Sequence, residues 1–376
     1  MSASTTTDEH DPQAELDLGP FRALITGELD AEIERQRRVL APLGADVVPL
    51  VDAIADLLAG GKRLRAAFCD WGYRAFGGTH TGGIRTVAAA MEMFQAAALL
   101  HDDVMDDSRR RRGRPTAHVV FAEEHARRQW SGPSERYGLA GAILAGNLCL
   151  SWCDEMFARA DLPAEELARA RVVFDEMRSH LMAGQFLDMH VAVTGWDDLD
   201  EAARISRSRE VVRYKSAQYS VAHPLLIGAQ AAGIGTDDAA HLRDYGLALG
   251  EAFQFRDDLL GVFGDPEVTG KPAGDDLREG KRTVLLALAW GGAHADDGSA
   301  GARLLRERIG DPTLDGPTIE ALRETITASG AVERLEALID EDTARARDAL
   351  SATTGLTTEG RSALDALIDR ATRRDT

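Results

Sequence analysis

Cysteine is scarce in this chain. The three present, Cys69, Cys149 and Cys153, are too few and odd in number for a disulfide framework. Cys149 and Cys153 sit four apart in an apolar helical stretch, with no His or further Cys at ligand spacing, and read as core thiols. Positive charge is outnumbered, 43 Lys and Arg against 62 Asp and Glu, for a net charge of -19. That excess excludes general binding to nucleic acid or anionic lipid, because phosphate-rich partners are repelled at long range, but it leaves room for a locally basic pocket. Long apolar runs are missing too. Thr86–Leu100 is interrupted by Glu92 and Gln95, Leu139–Trp152 by Asn147, and neither is long enough to span a bilayer. Met1–Gln13 is polar and Thr-rich, without the basic start and apolar core of a signal peptide or anchor. The expectation is a disordered tail over residues 1–18, one domain over 19–376, no membrane span and a cytoplasmic location.

What is present is helical periodicity. Hydrophobic residues make up 44% of the 376, enough for a sizeable core. They recur at three- and four-residue intervals in Ile33–Leu40, Val48–Leu58, Val87–Leu100, Leu139–Phe157, Leu167–Met189, Leu242–Phe263 and Ile319–Leu350. Strand-like alternation is nowhere sustained. Gly and Pro collect at Gly60-Gly61, Gly77-Gly78, Arg112–Pro115, Ser131–Ser134, Gly264–Gly274 and Gly291–Gly301, which marks breaks between helices. No linker separates two compositions, so a single all-α domain is expected, with Ala293–Thr318 as a surface excursion. Gln95 precedes Asp102-Asp103, and Gln254 precedes Asp257-Asp258, each late in a long apolar helix. Two such helices suggest two walls of one cavity.

The chemistry concentrates in three places. Asp102, Asp103, Asp106 and Asp107 lie in His-Asp-Asp-Val-Met-Asp-Asp. Asp102 and Asp106 share a helical face, where like charges destabilise unless neutralised. A hard cation such as Mg²⁺, shared with substrate phosphate oxygens, would do that; the plainer reading is a solvated acidic helix end. Asp257-Asp258 alone could likewise be a helix terminus. Downstream, however, Asp265, Lys271, Asp275, Asp276, Arg278, Lys281 and Arg282 crowd a Gly-rich loop, a mixture that suits a metal-bridged polyphosphate. Gly60-Gly61-Lys62-Arg63-Leu64-Arg65 reads as a helix opening, with Lys62 and Arg65 on one face as an anion site. The run Arg109–Arg112 adds positive charge just beyond the first aspartates. Basic clusters beside aspartate pairs in an acidic protein imply one diphosphate bound directly by cations and another bound through metal.

With these residues assembled, the chain resembles the trans-isoprenyl diphosphate synthases (the polyprenyl synthetase family) over roughly residues 51–283. The motifs fall in that family's order: Gly60-Gly61-Lys62-Arg63-Leu64-Arg65, Asp102-Asp103-Val104-Met105-Asp106 with its arginine tail, Gly184-Gln185-Phe186-Leu187-Asp188, Tyr214-Lys215-Ser216, and Gln254 to Asp258 followed by Gly270-Lys271-Pro272 and Lys281. The resemblance implies a bundle of long helices around a deep central cavity, the isoprenoid synthase type I fold, and a homodimer. It implies that Lys62, Arg65, Gln95 and Arg112 bind isopentenyl diphosphate. Asp102, Asp106 and Asp257 would hold Mg²⁺, three ions per site, with Asp103 and Asp258 supporting. Arg111, Lys215, Ser216, Gln254, Lys271 and Lys281 would contact the allylic diphosphate.

Two departures stand out. The family's second aspartate motif ordinarily carries a further Asp three residues after its second Asp, where this chain has Gly261; Asp265 could cover that role, or Asp257 and Asp258 could suffice. Asn147 replaces an Asp common in the family. The expected reaction is condensation of isopentenyl diphosphate with a C5 to C15 allylic diphosphate, with geranylgeranyl diphosphate (C20) as product. Ala97 and Ala98 are small where short-chain relatives tend to carry an aromatic, and Phe94 and Met91, lower on the same helical face, would close the pocket. The rival readings are a terpene cyclase, which has no second diphosphate to bind, and a non-catalytic partner subunit, a kind that typically loses aspartates.

Overall fold

The structure, a computed structural model, describes residues 18–196, 198–264, 274–293 and 299–372. Residues 1–17, Asp265, Gly270, Lys271 and Pro272 therefore lie outside the described residues. Helices follow one another as Gly19–Leu40 (α1), Val48–Leu58 (α2), Leu64–Ala75 (α3), Thr81–Met105 (α4), Ala117–Arg127 (α5), Ser134–Ala158 (α6), Ala164–Val193 (α7) and Glu201–Val211 (α8). A π-helical segment, Val212–Ala222, leads into His223–Ala232 (α9) and Thr236–Phe263 (α10). Then come Asp275–Glu279 (α11), Val284–Ala293 (α12), Ala300–Arg308 (α13), Gly316–Ala328 (α14), Ala331–Ala352 (α15) and Thr358–Thr372 (α16).

The ends of these helices follow local chemistry. The Asp200 carboxylate accepts from the Ala203 N–H at 2.8 Å and caps α8. Gly233, at φ 84, stops α9 in the left-handed conformation. The apolar periodicity over Ile319–Leu350 suggested one helix, but Gly330 at φ 74 divides it into α14 and α15. Nor is 293–318 a simple surface excursion: Ala302, Leu305 and Leu314 are buried in the core.

That core has two parts. One gathers the inward faces of α3, α4, α6, α7 and α9, including Phe68, Phe94, Phe157 and Phe174. The other surrounds α12, whose residues 284–290 are all buried, as expected of a helix apolar on every side. Between α7 and α10 runs the π-helical segment. Two glycines permit that closeness: a Cβ on Gly184 of α7 would lie 2.6 Å from the Lys215 nitrogen, and one on Gly250 of α10 would lie 2.6 Å from the Ala217 Cα. A π-helical stretch inside longer helices often marks a functional site.

One element was not foreseen. Arg110–Arg111 (β1) and Arg114–Pro115 (β2) form a minimal antiparallel hairpin, with Arg110 opposite Pro115 and Arg111 opposite Arg114. Its two-residue turn, Arg112 at φ 51 and Gly113 at φ 74, has the positive dihedrals of a type I′ connection. The strands are too short for any alternation to show in the sequence.

Candidate active site

The C-terminal ends of α4 and α10, the middle of α7 and the π-helical segment enclose a cavity of about 560 Å³. Its acidic wall begins on α4. Asp102 lines the cavity, and its Oδ1 accepts from Lys215 Nζ at 3.2 Å and Gln185 Nε2 at 3.0 Å. Arg111 reaches Asp102 Oδ2 at 3.6 Å. Burial pushes the Asp102 carboxyl up, but Lys215, Lys281 and Arg111 outweigh it and hold the group well below the usual carboxylate range. Lys215 is clamped a second time by Asp188 at 2.6 Å. Asp103 turns away from the cavity, buried against Arg111 at 2.7 Å. Asp106 caps α4 and meets Lys281 Nζ at 3.3 Å. Burial and the Asp102 charge push its carboxyl up to about 6, against the pull of Lys281.

On α10, Gln254, Asp257 and Asp258 face the same cavity. Gln254 Nε2 donates to Asp258 Oδ1 at 2.9 Å, while the buried Asp258 Oδ2 has no hydrogen-bond partner among the described residues. Burial pushes this carboxyl up to about 8 although Gln254 opposes it, and Asp276 and Asp257 add to the rise. Lys281 touches both walls, Asp106 on one side and Asp276 at 3.7 Å on the other. An all-oxygen set with an orphaned buried carboxylate oxygen fits a hard divalent cation such as Mg²⁺.

The basic side is built separately. Lys62 and Arg65 both line the cavity, but not as neighbours on one helix face: α3 begins at Leu64, and Arg63 before it is left-handed at φ 55. The break sends Arg63 inward to an ion pair with buried Glu92 at 3.5 Å, so Arg63 is structural. Arg65 donates to Ser220 Oγ at 2.7 Å, and its guanidinium lies 4.2 Å from the centre of the Tyr219 ring. Arg112 lies over Gly60-Gly61, where a Cβ on Gly60 would meet its Nη1 at 2.9 Å. The hairpin turn thus sends two consecutive arginines apart, Arg111 to the aspartates and Arg112 to the glycine pair. Gln95 completes this side with a buried Oε1 lacking a hydrogen-bond partner among the described residues.

Of the residues singled out from the sequence, Lys62, Arg65, Gln95, Ala98, Asp102, Arg111, Arg112, Lys215, Ser216, Gln254, Asp257, Asp258 and Lys281 line the one cavity. Met91, Phe94 and Ala97 do not. They are fully buried in the core, because packing against neighbouring helices closes α4 below Ala98. Asn147 lies exposed on α6, away from the cavity. Sequence reasoning missed Tyr219, four residues after Lys215, which lines the cavity and packs edge-on against Phe94 with ring centres 6.1 Å apart. Asp275, Asp276 and Arg282 from the downstream loop, grouped in the sequence as suited to a metal-bridged polyphosphate, line the cavity as well. Glu176, His180 and His223 bring ligand atoms within 4.8 Å of one another on α7 and α9, but outside the cavity lining.

Fold and cavity together define an all-α, single-domain helical bundle that gathers two carboxylate walls and a separate basic wall around one deep site. The chain matches the polyprenyl synthetase family over residues 48–314. It is 34% identical over 320 residues to a geranylfarnesyl diphosphate synthase of Aeropyrum pernix, covering 84% of this chain and 91% of the relative. To the farnesyl diphosphate synthase of Escherichia coli K12 it is 33% identical over 301 residues, 77% and 92% of the two chains. Among solved structures, a geranylgeranyl pyrophosphate synthase from Corynebacterium glutamicum, complexed with isoprenyl diphosphate and magnesium, superposes with a TM-score of 0.90 at 37% identity, covering 96% of this chain and 100% of that one. The chain belongs to the polyprenyl synthetase family, and its reaction class is prenyl transfer between diphosphates.

Proposed function

We propose that this enzyme condenses isopentenyl diphosphate with an allylic diphosphate to make geranylgeranyl diphosphate, acting as a Mg²⁺-dependent homodimer. The observation that carries the two-substrate reading is the divergence of Arg111 and Arg112. Arg112, with Lys62, Arg65 and Gln95, lines a part of the cavity without aspartates, suited to a diphosphate bound by cations alone. Arg111, Lys215, Ser216, Gln254 and Lys281 surround the carboxylates and suit the allylic diphosphate, together with Lys271 from outside the described residues. Asp102, Asp106 and Asp257 would hold the Mg²⁺ ions. A cyclase would have no use for the first group.

Bound Mg²⁺ supplies the Lewis acid that draws charge onto the leaving diphosphate. Lys215, Lys281 and Arg111 are already oriented toward that charge, so little reorganisation accompanies its development. The allylic C–O bond breaks, the isopentenyl double bond attacks the allylic cation, and the released diphosphate takes a proton from the resulting cation, which forms the new double bond. Ala98, Leu99, Leu181, Tyr219 and Phe253 present apolar surface that keeps water from the cation. The test is product analysis from labelled isopentenyl diphosphate with C5, C10 and C15 starters. C20 should dominate, and Lys62→Ala should raise the KM for isopentenyl diphosphate more than that for the allylic partner. Turnover without isopentenyl diphosphate, or equal effects on both KM values, would contradict the assignment.

A further inference from the structure

We propose that Glu176, His180 and His223 form a four-coordinate site for a transition metal of the Zn²⁺ class, at the junction of α7, the π-helical segment and α9 and separate from the catalytic cavity. Glu176 and His180 are four apart on α7 and so share a face. His223 is the first residue of α9. Each of the three offers one ligand atom, and these atoms all lie within 4.8 Å of one another. None of the three lines the cavity. Their distances suit ligands around a common centre rather than hydrogen bonds. Glu176 Oε1 stands 3.7 Å from His180 Nδ1 and 3.8 Å from His223 Nε2, both beyond hydrogen-bond reach. Zn²⁺ bonds of about 2.0–2.1 Å in a tetrahedron set ligand atoms roughly 3.3–3.4 Å apart, so the ion asks for a closure of only about 0.4 Å. Glu176, the exposed member, can supply that movement.

The two imidazoles are already held in place. His180 meets the Tyr214 ring edge-on at 5.4 Å between ring centres and the His223 ring at 5.6 Å. His223 is 4% exposed, and its Nδ1 has no hydrogen-bond partner among the described residues. In the metal-free chain burial keeps this ring neutral, at about 3, so it presents a lone pair without first shedding a proton. Gln218 of the π-helical segment is placed to take the fourth corner. Its Oε1 accepts from His180 Nδ1 at 2.8 Å. Ligation through Nδ1 moves that ring proton to Nε2 and leaves the Gln218 oxygen beside the ion. Two imidazole nitrogens select a Zn²⁺-like ion over Mg²⁺, which prefers oxygen throughout. The chain thus sorts cations by ligand chemistry, hard ions to the aspartates and a softer one here. An ion at this junction ties α7 to α9 around the segment that carries Lys215 and Tyr219 into the cavity.

Co²⁺ is the probe, because four-coordinate sites with nitrogen ligands give it intense visible absorption and six-coordinate oxygen sites give it weak bands. The full chain, untagged and stripped of metal by chelation, is titrated with Co²⁺ under excess Mg²⁺, which occupies the aspartates. One Co²⁺ per chain should bind with intense bands, and Zn²⁺ should displace it. One equivalent of Zn²⁺ should also raise the melting temperature, since the ion binds only the folded chain. E176A and H180A should each weaken Co²⁺ binding at least about tenfold with helical circular dichroism unchanged, and H223Q should do the same. D102N/D257N should leave the bands intact. Absence of intense bands from the wild type would overturn the proposal, as would bands that survive in both E176A and H180A. So would bands lost in D102N/D257N, because the ion would then sit among the cavity carboxylates.

Discussion

At Asp102 two forces oppose each other and the cations win. Burial favours the neutral carboxyl, yet Lys215, Lys281 and Arg111 keep it ionised. Asp106 and Asp258 lie on the other side of that balance, pushed up to about 6 and about 8, because each has fewer cations to offset its burial. Asp102 is thus charged before substrate arrives, whereas further positive charge beside Asp258 would favour its ionised form. Asp102→Ala or Asp257→Ala should cost at least about 10³-fold in kcat at saturating Mg²⁺, several kcal/mol of barrier. Helical circular dichroism should be retained, since neither side chain packs in the core. A variant of either kind turning over at nearly the wild-type rate would remove that carboxylate from the machinery.

Along α4 the question is how far a growing tail can descend. Ala98 lines the cavity, and Phe94 lies one turn lower, about 6 Å down the axis, fully buried and packed against Tyr219. Ala98→Phe would place a ring at the mouth of that descent and should shorten the product to C15. Phe94→Ala would open space beneath Tyr219 and should lengthen it to C25 or beyond, read by chromatography of the dephosphorylated products. An unchanged product from Phe94→Ala would mean that Phe94 plays no part in setting length. This element also shows what the sequence could convey. Its 3.6-residue period and terminal aspartates were legible, as were α10 and the basic motifs, because each is written in contiguous residues. That Phe94 lies off the cavity wall was not legible, since helical phase says which residues share a face but not which neighbour covers it. The Arg111/Arg112 hairpin and the approach of Asp276 to Gly261 were hidden for the same reason: both depend on contacts between distant segments. The helix start was misplaced because left-handed Arg63 interrupts a stretch that looks helical by composition.

For the molecule as a whole, one buried histidine gives stability a direction in pH. His223 is held at about 3, below its ordinary value, by burial and then by His180 and Arg243, while Glu176 Oε1 lies 3.8 Å from its Nε2. A depressed histidine contributes stability that is complete above the unfolded value near 6.5 and is lost as pH falls toward 3, because the unfolded chain takes up the proton first. Subtracting the His223→Gln melting curve from wild type should isolate a loss of up to about 1.4 kcal/mol per pH unit in that window; a pH-independent difference would refute it.

Exposed apolar side chains gather on α6 and α7. Val172, Phe186 and Val193 are 69%, 69% and 81% exposed. They stand 14 and 7 residues apart along α7, whole multiples of two helical turns, so they share one face of the helix, with the exposed Ser179 between Val172 and Phe186. Tyr137, Ile143 and Leu144 of α6 are exposed beside it. α7 is thus apolar on two sides, Phe174, Met177 and Leu181 facing the core and this stripe facing outward. Exposed apolar side chains that share one face mark interaction surfaces, and a face that can meet its own copy across a two-fold axis is the simplest occupant. Light scattering after size exclusion should give twice the 40.6 kDa chain mass, and Phe186→Asp with Val172→Asp should give one chain mass, because burying two carboxylates in an apolar contact costs several kcal/mol. A wild-type monomer, or a double variant that stays dimeric, would place the contact elsewhere or remove it.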